Sequence, residues 1–147
     1  MTSLLIWREE WLLGIETLDA DHQEMVRLMN LLFCRNGRER GGDTEEATSP
    51  LLDRLDAVIE HVRVHFGREE SFLQSIAYPH YEEHRTEHSL QMAEFIEIRR
   101  ELEVSGAPCI DDETAEGIKR WFFNHAIAED QRFADYYYQQ LGNSRVR

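Results

Sequence analysis

With 147 residues, 29 acidic against 16 basic side chains and a net charge of −13, the chain suits a single core and repels nucleic acid and anionic membranes. No apolar run approaches the roughly 20 residues that span a bilayer and no secretory segment is visible, so a cytoplasmic protein is expected. Only Cys34 and Cys109 occur, without a CxxC, so no disulfide framework is expected.

Residues 1–17 (MTSLLIWREEWLLGIET) show neither clean alternation nor a sustained helical period, yet Leu4, Ile6, Trp7, Trp11 and Leu12 are too apolar to leave in water. They predict an N-terminal arm packed onto the fold. Asp19 or Asp21 is the expected cap of a first helix, whose Met25, Val26, Met29, Leu32 and Phe33 recur at three and four residues. His22 continues that stripe one turn earlier. The glycine-rich, charged stretch 35–49 predicts a flexible, solvated loop.

Thr48 or Ser49 ahead of Pro50 reads as a helix start, because proline at a first helical position lacks only an N–H that would be orphaned anyway. Leu51, Leu55, Val58, Val62, Phe66 and Leu73 form the apolar face of this second helix, with His65 and Glu69 within its reach, and Pro79 should end it near Tyr78. A third helix runs from about Tyr81 to Glu103, carrying His84, His88, Phe95, Ile98 and Leu102 along one side. Asp111 is the expected cap of a fourth, which reaches about Gln140 and offers Ile118, Trp121, Phe122, His125 and Phe133 to the core. Four amphipathic helices and no strand pattern predict an all-α fold, an up-down antiparallel four-helix bundle built as one domain over 1–147.

Five of the seven histidines, His61, His65, His80, His84 and His88, fall at four-residue spacing in two short runs. Residues four apart on a helix share a face, so His65 with Glu69 and His84 with His88 each aim two metal-type ligands at one point. With His22 and His125 the inventory is five imidazoles and one carboxylate. That is too many for one tetrahedral ion, and it fits two first-row metals sharing bridging carboxylates. A second bridge is expected near His125. Helical spacing favours Glu129, four residues on, whereas Asp130 at five lies about 140° round the helix, and spacing leaves the choice open.

Over nearly its whole length the sequence resembles the hemerythrin family, most of all its single-domain bacterial members, the bacteriohemerythrins. The resemblance rests on Trp7, Gly14-Ile15, Leu18-Asp19-x-x-His22, His65-Phe66-x-x-Glu69-Glu70, Tyr78-Pro79, His84-x-x-x-His88 and Trp121-x-x-x-His125-x-x-x-x-Asp130. It implies that His84, His88 and His125 hold one iron, that His22 and His65 hold the other, and that Glu69 and Asp130 bridge the pair. It further implies that O2 binds at an open position of the second iron, in a pocket walled by Met25, Phe66, Trp121 and Phe122, residues that also serve as ordinary core.

Two positions depart from the family pattern. His61 stands where tyrosine is common, and is expected to hydrogen-bond to a metal-bound imidazole rather than to bind metal. Ala126 stands where isoleucine is usual, and is expected either to leave a roomier, wetter pocket or to have its space refilled by Phe122 and Phe123 swinging in. His80 reads as a surface residue.

The resemblance implies an O2 carrier, store or supplier rather than an enzyme, with O2 as the expected ligand and an oxygen-using enzyme or a signalling protein as the candidate partner. The alternatives are a sensor of O2, redox state or NO acting through a separate signalling partner, and a weak diiron peroxidase or oxidase. Glu-x-x-His pairs, which diiron oxidases of ferritin-like bundles use, are absent.

Overall fold

Apolar residues recurring at three and four build helices whose stripes must be buried against one another. The computed structural model, which describes residues 3–33 and 50–141, has this architecture. Helix α1 spans Glu16–Asn30, α2 Leu51–Ser75, α3 Tyr81–Ser105, α4 Asp112–Phe122 and α5 Asp130–Gln140. A π-helical segment, Phe123–Glu129, joins α4 to α5 without a loop, so the two form one rod and the bundle has four. Helix α2 packs against both α1 and α3. No strand occurs among the described residues, and none of their helices is long and apolar enough to cross a membrane. The predicted loop at 35–49 lies outside the described residues.

The core divides into two apolar clusters. One gathers Met25, Met29, Val62, Phe66, Phe95, Phe122 and Ala126. The other gathers Leu13, Leu18, Leu73, Tyr78, Phe133 and Ala134. On α1, on α2 and on the α4–α5 rod, the candidate ligands fall between a residue of the first cluster and a residue of the second. His22 lies between Leu18 and Met25, Glu69 between Phe66 and Leu73, and Asp130 between Ala126 and Phe133. The bundle therefore holds its polar side chains in a layer closed off at both ends by hydrocarbon.

Neither Asp19 nor Asp21 caps α1, which starts earlier, at Glu16, with Ile15 at the cap position. Tertiary partners take both carboxylates. Asp19 accepts from the backbone N–H of Leu13 at 2.7 Å and of Gly14 at 3.0 Å, tying down the incoming arm, while Asp21 turns toward α2. Asn30 makes a two-way bond with the backbone of Leu5, both at 2.8 Å, and Trp11 packs edge-on against Phe122 at 5.7 Å. Gly14 sits at φ +82°, where any Cβ would also meet the Tyr138 hydroxyl at 3.0 Å.

Helix α2 begins one residue later than expected, with Pro50 itself at the cap position; Thr48 and Ser49 lie outside the described residues. It also ends sooner, at Ser75. The Tyr78 N–H bonds back to the Leu73 carbonyl at 3.0 Å and that of Ala77 to Gln74 at 3.1 Å, a Schellman closure with Ala77 at φ 51° where glycine is usual. Asp111 caps α4 as expected, accepting from Thr114 N–H at 2.7 Å. Cys109 is disulfide-bonded, where no disulfide framework was expected; the chain's other cysteine, Cys34, lies outside the described residues.

Candidate metal centre

Each rod delivers polar atoms to the middle layer. One turn of α2 separates His65 from Glu69, one turn of α3 separates His84 from His88, and α1 contributes His22. On the fourth rod, His125 and Asp130 are five residues apart, a spacing that an α-helix would splay. The π segment over Phe123–Glu129 winds with i→i+5 bonds, which brings residues five apart back over one another. His125 Nε2 and Asp130 Oδ1 consequently stand 3.3 Å apart.

The two carboxylates divide the histidines between their oxygens. Glu69 Oε1 faces Nε2 of His84, His88 and His125 at 2.7, 3.0 and 3.4 Å, while its Oε2 faces His65 at 3.0 Å and His22 at 3.9 Å. Asp130 Oδ1 faces His84 at 3.2 Å and His125 at 3.3 Å, and Oδ2 faces His22 at 3.0 Å. Two groups able to hold a cation result: Glu69 with His84, His88 and His125, and Glu69 with His22, His65 and Asp130.

Glu69 Oε1 bonds to His84 and His88, but much of the cluster is near without being satisfied. Nε2 of His22 and His65, Glu69 Oε2 and both Asp130 oxygens are buried without a hydrogen-bond partner, despite the short separations. Unpaired buried polar atoms cost about 1–3 kcal/mol each, so such a cluster is unfavourable as it stands. Two ligands at right angles, each about 2.1 Å from one ion, lie about 3.0 Å apart, close to the observed spacings. The donor set therefore fits a pair of cations better than a network of internal hydrogen bonds.

The outward ring nitrogens support the same reading. His65 Nδ1 donates to Asp21 Oδ2 at 2.9 Å, and His88 Nδ1 donates to Glu70 Oε2 at 2.8 Å. A neutral imidazole that donates through Nδ1 presents a lone pair at Nε2, and both of these lone pairs face Glu69. His88 Nε2 also faces His125 Nε2 at 3.2 Å. Only protons or cations in the middle make such oppositions favourable.

In the absence of metal, protons take that part. Burial alone would lower the His65 pKa, but the nearby charges of Glu69 and Asp130 and the bond to Asp21 raise it to about 10. His84 is likewise opposed by burial and raised to about 10 by Asp130 and Glu69. Burial pushes Glu69 up, and the surrounding imidazoles outweigh it, holding the carboxyl well below its usual range. Asp130 is raised by burial and by Glu69, and lowered overall by His125, His22 and His84.

Met25, Phe66, Phe122 and Ala126 line the apolar cluster on one side of this layer, with Trp121 half-buried against it. Phe66 stacks on His88 at 3.7 Å, and Trp121 lies parallel to His125 at 5.4 Å. Ala126 keeps 0% of its surface, so no water-sized space touches it. His61 does not reach an imidazole: its Nε2 lies 2.9 Å from the backbone oxygen of Asp21. His80 is exposed and pairs with Glu83.

Asp21 and Glu70 escaped the sequence reading as partners of the histidines, since neither shares a helix with the imidazole it holds. The one available signal was an acid beside each candidate ligand, Asp21 before His22 and Glu70 after Glu69. Outside the layer, an open cavity of about 650 Å³ reaches His84 past Tyr78 and Glu83, and a second of about 280 Å³ reaches His125 past Glu87 and Trp121.

The family model described as the Hemerythrin HHE cation binding domain matches residues 13–137. A bacteriohemerythrin of Stenotrophomonas maltophilia (strain R551-3) is 26% identical over 133 residues, 90% of this chain and 81% of that protein. That of Ralstonia nicotianae (strain ATCC BAA-1114 / GMI1000) is 27% identical over 139 residues, 95% of this chain and 93% of its own. A crystal structure of wild-type hemerythrin superposes with a TM-score of 0.72 over 90% of this chain and 96% of that one, at 21% identity, a likeness of fold.

Proposed function

The chain belongs to the hemerythrin family, and on that premise we propose that its buried layer holds two iron ions and serves the reversible binding of O2, as a carrier, store or supplier. His84, His88 and His125 would hold one ion, His22 and His65 the other, and Glu69 and Asp130 would bridge them. The observation that carries this reading is the set of converging, unpartnered atoms of Glu69, Asp130, His22 and His65. When bound, a ferrous pair supplies the electrons with which O2 is held, so no side chain need be oxidised.

The chain's own residues do the rest. Asp21 and Glu70 fix the outward nitrogens of His65 and His88, which keeps Nε2 aimed inward. Phe66 against His88, Trp121 against His125 and Phe122 beside His22 put hydrocarbon against both halves of the layer and keep water from it. Five imidazoles against two carboxylates make a donor set poor in the anionic oxygens that stabilise high-valent iron, which favours binding over oxidation chemistry. Iron analysis tests the premise, with two ions per chain expected. An O2 titration followed by optical spectrum, run beside steady-state peroxide turnover, tests the role. Turnover without a reversible O2 spectrum would overturn the carrier reading.

A further inference from the structure

One stripe of α2 grips one residue of α1. His61, His65 and Arg68 lie on the same face of α2, spaced by four and three residues, and all three bond to Asp21. His61 Nε2 meets its backbone oxygen at 2.9 Å, His65 Nδ1 its Oδ2 at 2.9 Å, and Arg68 Nη1 its Oδ1 at 2.5 Å. Asp21 is buried at 6% exposure, whereas the Arg68 side chain is 46% exposed. A surface cation thus bears on a buried carboxylate, which in turn bears on a candidate metal ligand. Glu70 holds His88 in the same way, but has no arginine on it among the described residues.

We propose that Asp21 and Arg68 together set how strongly His65 donates to its metal, with Arg68 tempering the push that Asp21 exerts. The inference rests on the diiron reading above. A carboxylate on Nδ1–H draws that proton toward itself and enriches the ring, making Nε2 a stronger ligand and favouring the ferric over the ferrous state. A guanidinium on the carboxylate's other oxygen withdraws charge and weakens the push. Because Arg68 is half in water while Asp21 is not, the tuning can be altered from the surface without opening the core. Asp21 and Arg68 are positioning residues that act through His65.

The opposite signs of the two parts make the test. In the iron-loaded full chain, Asp21→Asn should raise the ferrous-to-ferric ratio at a fixed poise by about tenfold, if the ferric ion alone loses the lower end of the affinity that removing such a partner costs at metal sites. Arg68→Gln should lower that ratio, and Arg68→Lys should restore it. A merely structural role would move Asp21→Asn and Arg68→Gln in the same direction, or leave the ratio unchanged, and either result overturns the proposal. Should Asp21→Asn fail to fold, the half-exposed Arg68 variants still decide, since loss on Gln without recovery on Lys overturns it equally. In the metal-free protein, the His65 Nδ1 proton resonance should move upfield in Asp21→Asn and downfield in Arg68→Gln. A parent chain that takes up no iron pair would sink the diiron reading along with this one, whereas a loaded parent with like-signed variants sinks this one alone.

Discussion

His125 Nε2 and Asp130 Oδ1 stand 3.3 Å apart although five residues separate them, and the π turn of Phe123–Glu129 is what brings them together. A π turn amounts to one extra residue in an α-helix. On the proposed ligand set, Asp130→Ala should cut iron content well below two per chain, while Glu129→Ala, which removes a side chain directed toward Arg132, should leave it intact. Deleting Ala128 should return the rod to α-helical winding with Asp130 four residues from His125. That variant is expected to keep its iron and melt no lower than the parent. Iron loss in the deletion, with the fold retained, would mean that the π turn does more than correct the spacing.

The metal-free protein should respond to pH in a way the loaded protein does not. His65 and His84 have folded pKa values of about 10 against an ordinary 6.5, so their contribution is fully present below 6.5 and is lost as pH rises through 10. Glu69 and Asp130 are held below their ordinary 4.5 and 3.8, so their contribution is present above those values and is lost as pH falls. The metal-free bundle should therefore be most stable between about pH 4.5 and 6.5, weakening toward pH 10. Metal displaces the imidazole protons, so iron uptake should release protons and tighten across the same rise. Thermal melts of chelator-treated protein at pH 5.5 and 8.5 check the sign, and a higher melting temperature at 8.5 would contradict it.

Glu69 and His61 stand two turns apart on one helix with unequal roles. Glu69 faces all five imidazoles of the cluster, whereas His61 lies against the backbone oxygen of Asp21 and near the Glu24 charge. Glu69→Ala should abolish binding of the second ion and weaken the first, while His61→Ala should cost about 0.5–1.5 kcal/mol of stability and leave iron content near that of the parent. Equal iron loss in the two variants would place His61 among the ligands.

The inward stripes were legible because a ligand pair four residues apart obeys the same rule as an apolar pair, so His65 with Glu69 and His84 with His88 announce their faces. Asp130 was not legible from spacing, since the rule that finds an α-helical face selects Glu129; the resemblance chose Asp130, and the π turn supplies the reason. Asp19 and Asp21 look like caps because the capping signal is local, yet each carboxylate found a partner outside its own helix. Pairings of that kind, Asp21 with His65 or Glu70 with His88, depend on which helices face each other. No periodicity within one segment records it.

At the end of α2 the chain accepts a residue that the geometry disfavours. Ala77 holds φ 51° in a Schellman closure, where an L side chain costs about 1–2 kcal/mol relative to glycine. Ala77→Gly should recover part of this, offset by the greater freedom glycine gives the unfolded chain, for a net gain of about 0.5–1 kcal/mol. Urea unfolding of the two proteins under equal metal loading measures it. A loss of stability would mean that the Ala77 methyl group packs more favourably than its backbone is strained.

Ala126 yields a prediction whose sign separates a filled pocket from an open one. It sits with Met25, Phe66 and Phe122 in the apolar cluster beside the ligand layer, with 0% of its surface and 0% of that of Phe122 accessible. A side chain bordering a water-sized void would keep some accessible area, so the space that isoleucine would need is already taken by its neighbours. Adding three carbons there should force Phe122 and Met25 off their preferred rotamers and cost about 1–3 kcal/mol. Were the pocket open, the added hydrocarbon would instead fill it and stabilise the bundle by about 0.8 kcal/mol for each buried methylene. Equilibrium unfolding of Ala126→Ile against the parent, both metal-free and both at pH 6, reads the difference directly. Destabilisation is the expected result, and a gain in stability would restore the roomier pocket that the sequence suggested.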